Sequence, residues 1–179
     1  MPRITIDGGH GGSDPGAVHP SGHPREIDYS HPAAVELSVL LRNRGHDVVL
    51  TPAVNLTVNE VMRSGARARW ANEHMSGPGD LFVSIHCNAS ESHLATGSEV
   101  WYCSQSALAA DLAFALALDE PRRNRGAKRS NGLSVLTDTR MAAVLLELGF
   151  IDREPEWIQK HWFKQMEAVV PVIESWLAL

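Results

Sequence analysis

The chain has 179 residues, enough for one domain of ordinary size with a sizeable core and too few for two independent ones. Its 16 Lys and Arg against 21 Asp and Glu give a formal net charge of −5, which argues against a broad grip on nucleic acid or anionic lipid. No stretch approaches the roughly 20 consecutive apolar residues that span a bilayer, no basic and then apolar leader opens the chain, and Cys87 and Cys103 are too few for a disulfide framework.

Apolar runs of strand length alternate with longer segments of helical period, the pattern of an α/β domain. In chain order the strand candidates are RITID (3–7), DVVLT (47–51), DLFVSIH (80–86), SEVWYC (98–103), LSVLT (133–137) and AAVLLELGF (142–150). Helices are expected near 33–44, 57–75, 106–119 and 155–178, with Gly45 stopping the first, a Thr57 to Glu60 capping box starting the second and Pro171 kinking or dividing the last. The whole of 1–179 reads as a single domain, a mixed, mostly parallel sheet of about six strands. Loops at 8–25, 87–97 and 121–132 are longer than most connections, and long loops often carry function. The charge run EPRRNRGAKR (120–129) reads as a solvated loop, with contact to an acidic ligand as the alternative.

The first loop begins with a glycine-rich turn around His10. It fails two phosphate-binding templates. Asp14 stands where G-x-G-x-x-G needs its third glycine, and Ala17 and Val18 stand where a P-loop needs Lys and Ser or Thr. Three polar residues instead share one context. His10 follows ITID, His86 ends LFVSI, and Glu147 interrupts AAVLLELGF. Ligands gather beyond the carboxyl ends of strands in open α/β sheets, so the three converge if their strands are neighbours. Glu147 carries the strongest signal, because a carboxylate among apolar residues is costly unless it is paired or bound to a cation.

Two histidine nitrogens and one carboxylate oxygen form a catalytic zinc set that leaves a position for water. Glu26, after the first long loop, is the best third ligand; Asp14, Asp28, His19 and His23 compete with it on spacing alone. With Glu26 as ligand, Glu147 is free to act as general base.

These residues resemble the zinc-dependent N-acetylmuramoyl-L-alanine amidases of the third amidase family, and the resemblance runs nearly end to end. ITIDGGHGGSDPGA is similar to the family's opening IDPGHGGxDPGA, REI to its metal-binding glutamate segment, and DLFVSIHCNAS to its DLFVSIHANA. GHDVVLT, RARWAN, GSEVWY, RGAK, SVL and AAVLLELGF match further motifs in order. The resemblance implies His10, Glu26 and His86 as ligands of one Zn2+ per chain and Glu147 as the catalytic carboxylate. It also implies helices on both sheet faces.

The implied reaction is hydrolysis of the amide between the lactyl group of N-acetylmuramic acid and L-alanine, on peptidoglycan or a muropeptide. A peptidase, a sugar deacetylase and a peptidoglycan-binding module without turnover are the alternatives. The enzyme is expected to act as a monomer on the bacterial cell wall, as a phage endolysin or as the catalytic domain of a secreted autolysin. Arg67 and Asn72 match the family's helix segment and are read as packing and capping residues. Two departures stand out: Gly9 replaces the usual proline, and Cys87 replaces the usual alanine, its side chain expected to point away from the metal.

Overall fold

The computed structural model describes residues 2–52, 64–75, 77, 79–118, 120 and 123–178. Six strands and five helices follow one another as β1 (Arg3–Gly8), α1 (Ile27–Asn43), β2 (Asp47–Leu50), α2 (Ser64–His74), β3 (Leu81–Asn88), β4 (Ser98–Tyr102), α3 (Ser106–Leu116), β5 (Asn124–Arg129), α4 (Ser134–Thr137), β6 (Ala142–Phe150) and α5 (Pro155–Leu177). The strands form one sheet in the order β2-β1-β3-β6-β4-β5. Only the β4–β6 pairing is antiparallel.

The central strands β3 and β6 are covered on both faces, which is why they read as nearly continuous apolar runs. Their alternate residues divide between two cores. Val83, Ile85, Cys87, Val144, Leu146 and Leu148 pack with α1, α3 and α5, while Phe82, Ala143 and Leu145 pack with Ala71 of α2 and with Val135 and Leu136 of α4. Cys87 is therefore a core residue, as strand alternation predicts, and both thiols are free. His86 and Glu147 share the second face. Near the carboxyl ends of the two strands, His86 and Glu147 are only partly buried on that face.

Two strand and loop assignments fail. LSVLT is not a strand: Ser134–Thr137 form the short helix α4, which turns Val135 and Leu136 inward. An apolar run this short has no period to separate the two conformations. The sixth strand lies instead in the run read as a loop. As an edge strand, β5 pairs with β4 alone, so it shows little of the apolar signature of a covered strand.

Helix α1 starts six residues before its predicted start and includes Pro32, and α5 continues unbroken through Pro171. Gly45, at φ 89°, follows the end of α1 as expected. The predicted capping box of Thr57 and Glu60 lies outside the described residues. No helix among the described residues is long and apolar enough to cross a membrane.

Candidate metal centre and its flanking carboxylates

The turn after β1 is held from beneath. Buried Asp7 accepts hydrogen bonds from Thr51 Oγ1 (2.6 Å), Ser84 Oγ (2.7 Å) and Arg67 Nη1 (2.5 Å). Arg67 also donates to the carbonyl oxygens of Gly8 (2.7 Å) and His10. This clamp fixes His10 at φ 65°, a left-handed conformation that non-glycine residues seldom adopt. Arg67 thus positions the site from below, beyond the packing role read from sequence. Arg67→Ala leaves the Asp7 charge buried and is expected to cost about 3–5 kcal/mol in urea denaturation. Adding Asp7→Asn should recover part of that loss, and a cost below about 1 kcal/mol would dismiss the clamp.

Gly9 explains its own departure from the family pattern. Its N–H donates to Ile85 O (2.8 Å) and extends the β1–β3 ladder, a bond proline cannot make. A Cβ there would lie 2.2 Å from His86 Cε1, so glycine lets the imidazole rest against the turn. Its carbonyl accepts from Ser30 Oγ (3.2 Å) and lies 3.1 Å from His31 Nε2, both in the early part of α1.

The loop that follows folds back on itself. Gly11 bridges Asp14, Val18 bridges Arg25, and the Glu26 N–H reaches Ala17 O at 2.8 Å. Glu26 is thereby set at the start of α1, its side chain 4 % exposed, between two imidazoles. Its Oε2 lies 3.0 Å from His10 Nε2 and accepts from Ala17 N–H (2.9 Å), while Oε1 lies 2.8 Å from His86 Nδ1 and accepts from Cys87 N–H (3.0 Å). One ligand atom from each of His10, Glu26 and His86 falls within 4.8 Å of the others, close enough to hold a metal ion.

The competing ligands lie elsewhere. Asp14 binds the far side of His10, with Oδ2 2.9 Å from Nδ1 and Oδ1 accepting from Gly16 N–H. A carboxylate on the second imidazole nitrogen is the usual means of orienting a metal-binding histidine. Asp28 pairs with Arg25, His19 bonds Ser21, and His23 is exposed.

Electrostatics hold the trio together without a metal. Burial lowers the pKa of His10, but the hydrogen bond and charge of Glu26, aided by Asp14, outweigh it and raise the pKa to about 9. Burial opposes ionisation of Glu26, yet hydrogen bonds to His10 and His86 keep it well below the usual carboxylate range. A raised histidine pKa stabilises the fold fully below the unfolded value of 6.5, and that contribution fades as pH rises through about 9. The depressed Glu26 contributes above its ordinary 4.5 and loses that contribution on acidification below it. Thermal melts of metal-free protein are therefore expected to peak between about pH 4.5 and 6.5 and to fall toward pH 9. A melting temperature that climbs from pH 6.5 to 9 would contradict this coupling.

Glu147 stands beside His86 in the β3–β6 register and directly across from Glu99 in the β4–β6 register. Its Oε2 is buried without a hydrogen-bond partner among the described residues. Burial, then the charges of Glu26 and Glu99, push its pKa well above the ordinary carboxylate value, with Lys128 pulling the other way.

Glu99 was missed in the sequence, although it breaks the apolar SEVWY just as Glu147 breaks its own strand. It is 1 % exposed and accepts from Asn88 Nδ2, Trp101 Nε1, Arg125 Nε and Lys128 Nζ. Three cations of the charge run, Arg123, Arg125 and Lys128, are thus tied down by this chain's own acids, with Arg123 paired to buried Glu154 at 2.6 Å.

The sequence matches the N-acetylmuramoyl-L-alanine amidase family over residues 4–169. It is 36 % identical over 151 residues to a probable cell wall amidase, LytH, of Staphylococcus aureus, covering 83 % of this chain and 47 % of that protein. The chain therefore spans about half the length of the curated relatives it matches. Among solved structures, an N-acetylmuramoyl-L-alanine amidase from Clostridium difficile 630 superposes with a TM-score of 0.86 at 28 % identity, over 99 % of this chain and 97 % of that one. The catalytic domain of CwlV, an N-acetylmuramoyl-L-alanine amidase from Bacillus (Paenibacillus) polymyxa, gives 0.85 at 26 % identity, with 99 % of each chain covered.

Proposed function

The chain belongs to the N-acetylmuramoyl-L-alanine amidase family, and from that premise we propose that it hydrolyses the amide joining the lactyl group of N-acetylmuramic acid to L-alanine of the peptidoglycan stem. The observation that carries this reading is the convergence of His10, Glu26 and His86 beside a buried carboxylate oxygen of Glu147 that lacks a partner. Two imidazole nitrogens and one carboxylate oxygen suit Zn2+ and leave room for water, so the donor set fits the ion.

Zinc, when bound, supplies Lewis acidity that makes a water molecule acidic near neutral pH and draws electron density from the scissile carbonyl. The chain's own groups do the rest. Glu147 takes a proton from the attacking water and returns it to the departing alanine amine. Its burial raises its proton affinity, which suits a group that must hold that proton between the two steps. Asp14 orients His10, and the Arg67 clamp keeps the His10 turn in register with β3.

Peptidoglycan digested with the protein should yield stem peptides with a new amine on alanine. Mass spectrometry should show these products vanish with a chelator and return with zinc. Release of acetate without stem peptides would assign a deacetylase, and zinc binding without any product would assign a binding module. To act as a ligand, His10 would have to release the proton that it holds at neutral pH in the metal-free state. Calorimetry at pH 7 in buffers of different ionisation enthalpy should therefore show about one proton released per zinc. No release would contradict ligation by His10.

A further inference from the structure

The family match leaves unexplained why two cations converge on one carboxylate beside Glu147. Lys128 Nζ and Arg125 Nε both meet Glu99 Oε2, at 2.5 and 2.7 Å, while Asn88 and Trp101 occupy Oε1. Two cations more than neutralise one carboxylate. Their side chains are 35 % and 32 % exposed, so both are partly open to solvent above a buried anchor. Arg125 Nη2 and the remaining protons of the Lys128 ammonium group have no protein partner among the described residues. Arg125 also lies over the Phe150 ring, 4.8 Å from its centroid, and Lys128 faces the Trp101 ring at 5.4 Å.

The backbone is built to bring these cations together. Residues three apart on a regular strand point to opposite faces. Here, however, Ser98 pairs with Asn124 and Val100 with Ala127, so β5 carries an extra residue at a bulge containing Gly126, whose φ is 77°. The bulge puts Arg125 and Lys128 on the same face as Glu99, in line with Glu147 and His86. Bulges beside active sites commonly re-aim side chains in this way.

Reaction chemistry gives the row a direction. Glu147 returns its proton to the departing amine, so the peptide half of the substrate leaves on the Glu147 side, toward β4 and β5. The β5 strand lies two strand spacings from β6, about 10 Å. An extended peptide advances about 3.5 Å per residue, so the residue after alanine comes within reach of a long cationic side chain.

We propose that Arg125 and Lys128, anchored by Glu99, form a subsite for a free carboxylate on the stem residue that follows the scissile alanine. This rests on the amidase reading above and adds to it a preference for acidic over amidated stems.

The test uses two soluble muropeptides that differ only in whether the second stem residue carries a free carboxylate or its amide. The metal-loaded protein should cleave the acid with a lower KM. Lys128→Met should raise KM for the acid about tenfold more than for the amide, the order expected of one charge-assisted hydrogen bond. Arg125→Lys should retain more of the preference than Arg125→Gln. A KM ratio equal in wild type and variants would overturn the subsite.

If a single variant fails to fold, Lys128→Met combined with Glu99→Gln removes both charges of that pair, and the same ratio is read. Calorimetric binding of alanyl-glutamate against alanyl-glutaminamide, whose second residue carries no free carboxylate, to the wild-type protein supplies a second reading that needs no turnover. Tighter binding of the acid supports the subsite, and equal binding overturns it. Failure of the wild type to cleave either muropeptide overturns the amidase reading instead, and the dipeptide comparison still decides the subsite.

Discussion

Glu147→Gln is expected to keep zinc at wild-type stoichiometry and to lose about 10²- to 10⁴-fold in kcat on a soluble muropeptide, the range for removal of a general acid–base group. The substitution preserves volume, and Glu147 Oε2 has no hydrogen bond among the described residues for it to break. It also removes a carboxyl that burial and the neighbouring Glu26 and Glu99 keep from ionising easily. Thermal stability should therefore hold or rise while activity collapses. That split separates a catalytic group from a structural one. A zinc-loaded Glu147→Gln protein that releases stem peptides at the wild-type rate would remove Glu147 from the chemistry, and a variant that loses its zinc would make it a ligand.

The signal that exposed Glu147 in the sequence was its cost in an apolar strand, and the same argument applied to Glu99 would have found the second carboxylate of the row. His10 and His86 were legible because each ends an apolar run, and the sheet order places β1, β3 and β6 side by side as their convergence requires. Glu26 stood in the sequence as the best of several third-ligand candidates, and the resemblance to a family singled it out. Its position depends on a loop that closes through backbone bonds between Ala17, Val18, Arg25 and Glu26, and such contacts leave no periodic trace in sequence. The swap between LSVLT and NRGAKR has the opposite origin. An apolar run long enough for a strand became one helical turn, and a polar run became an edge strand whose cations find their partners in Glu99 on the adjacent strand. Charge run and strand are compatible there because one anion organises both.

Glu26→Ala is expected to weaken zinc binding by more than about 100-fold, beyond the 10- to 100-fold range for residues that only orient ligands. Glu26 holds three things at once: the charge that draws His10 and His86 together, an acceptor for Ala17 N–H, and an acceptor for Cys87 N–H. Glutamine cannot stand in for it. One amide oxygen can accept from only one side, so the amide NH2 would face the second backbone N–H, and a buried donor left in that way costs about 1–3 kcal/mol. Both variants should therefore melt lower as well as bind zinc poorly. Asp14→Ala offers the comparison that separates ligation from orientation, because the Asp14 carboxylate meets the outer nitrogen of His10 and a backbone N–H. Its zinc affinity should fall by about 10- to 100-fold. Competition with a chromophoric chelator would rank the three proteins. Wild type should bind tightest, Asp14→Ala next and Glu26→Ala weakest; equal affinities for Glu26→Ala and wild type would exclude Glu26 as a ligand, and the donor set would then need a different carboxylate.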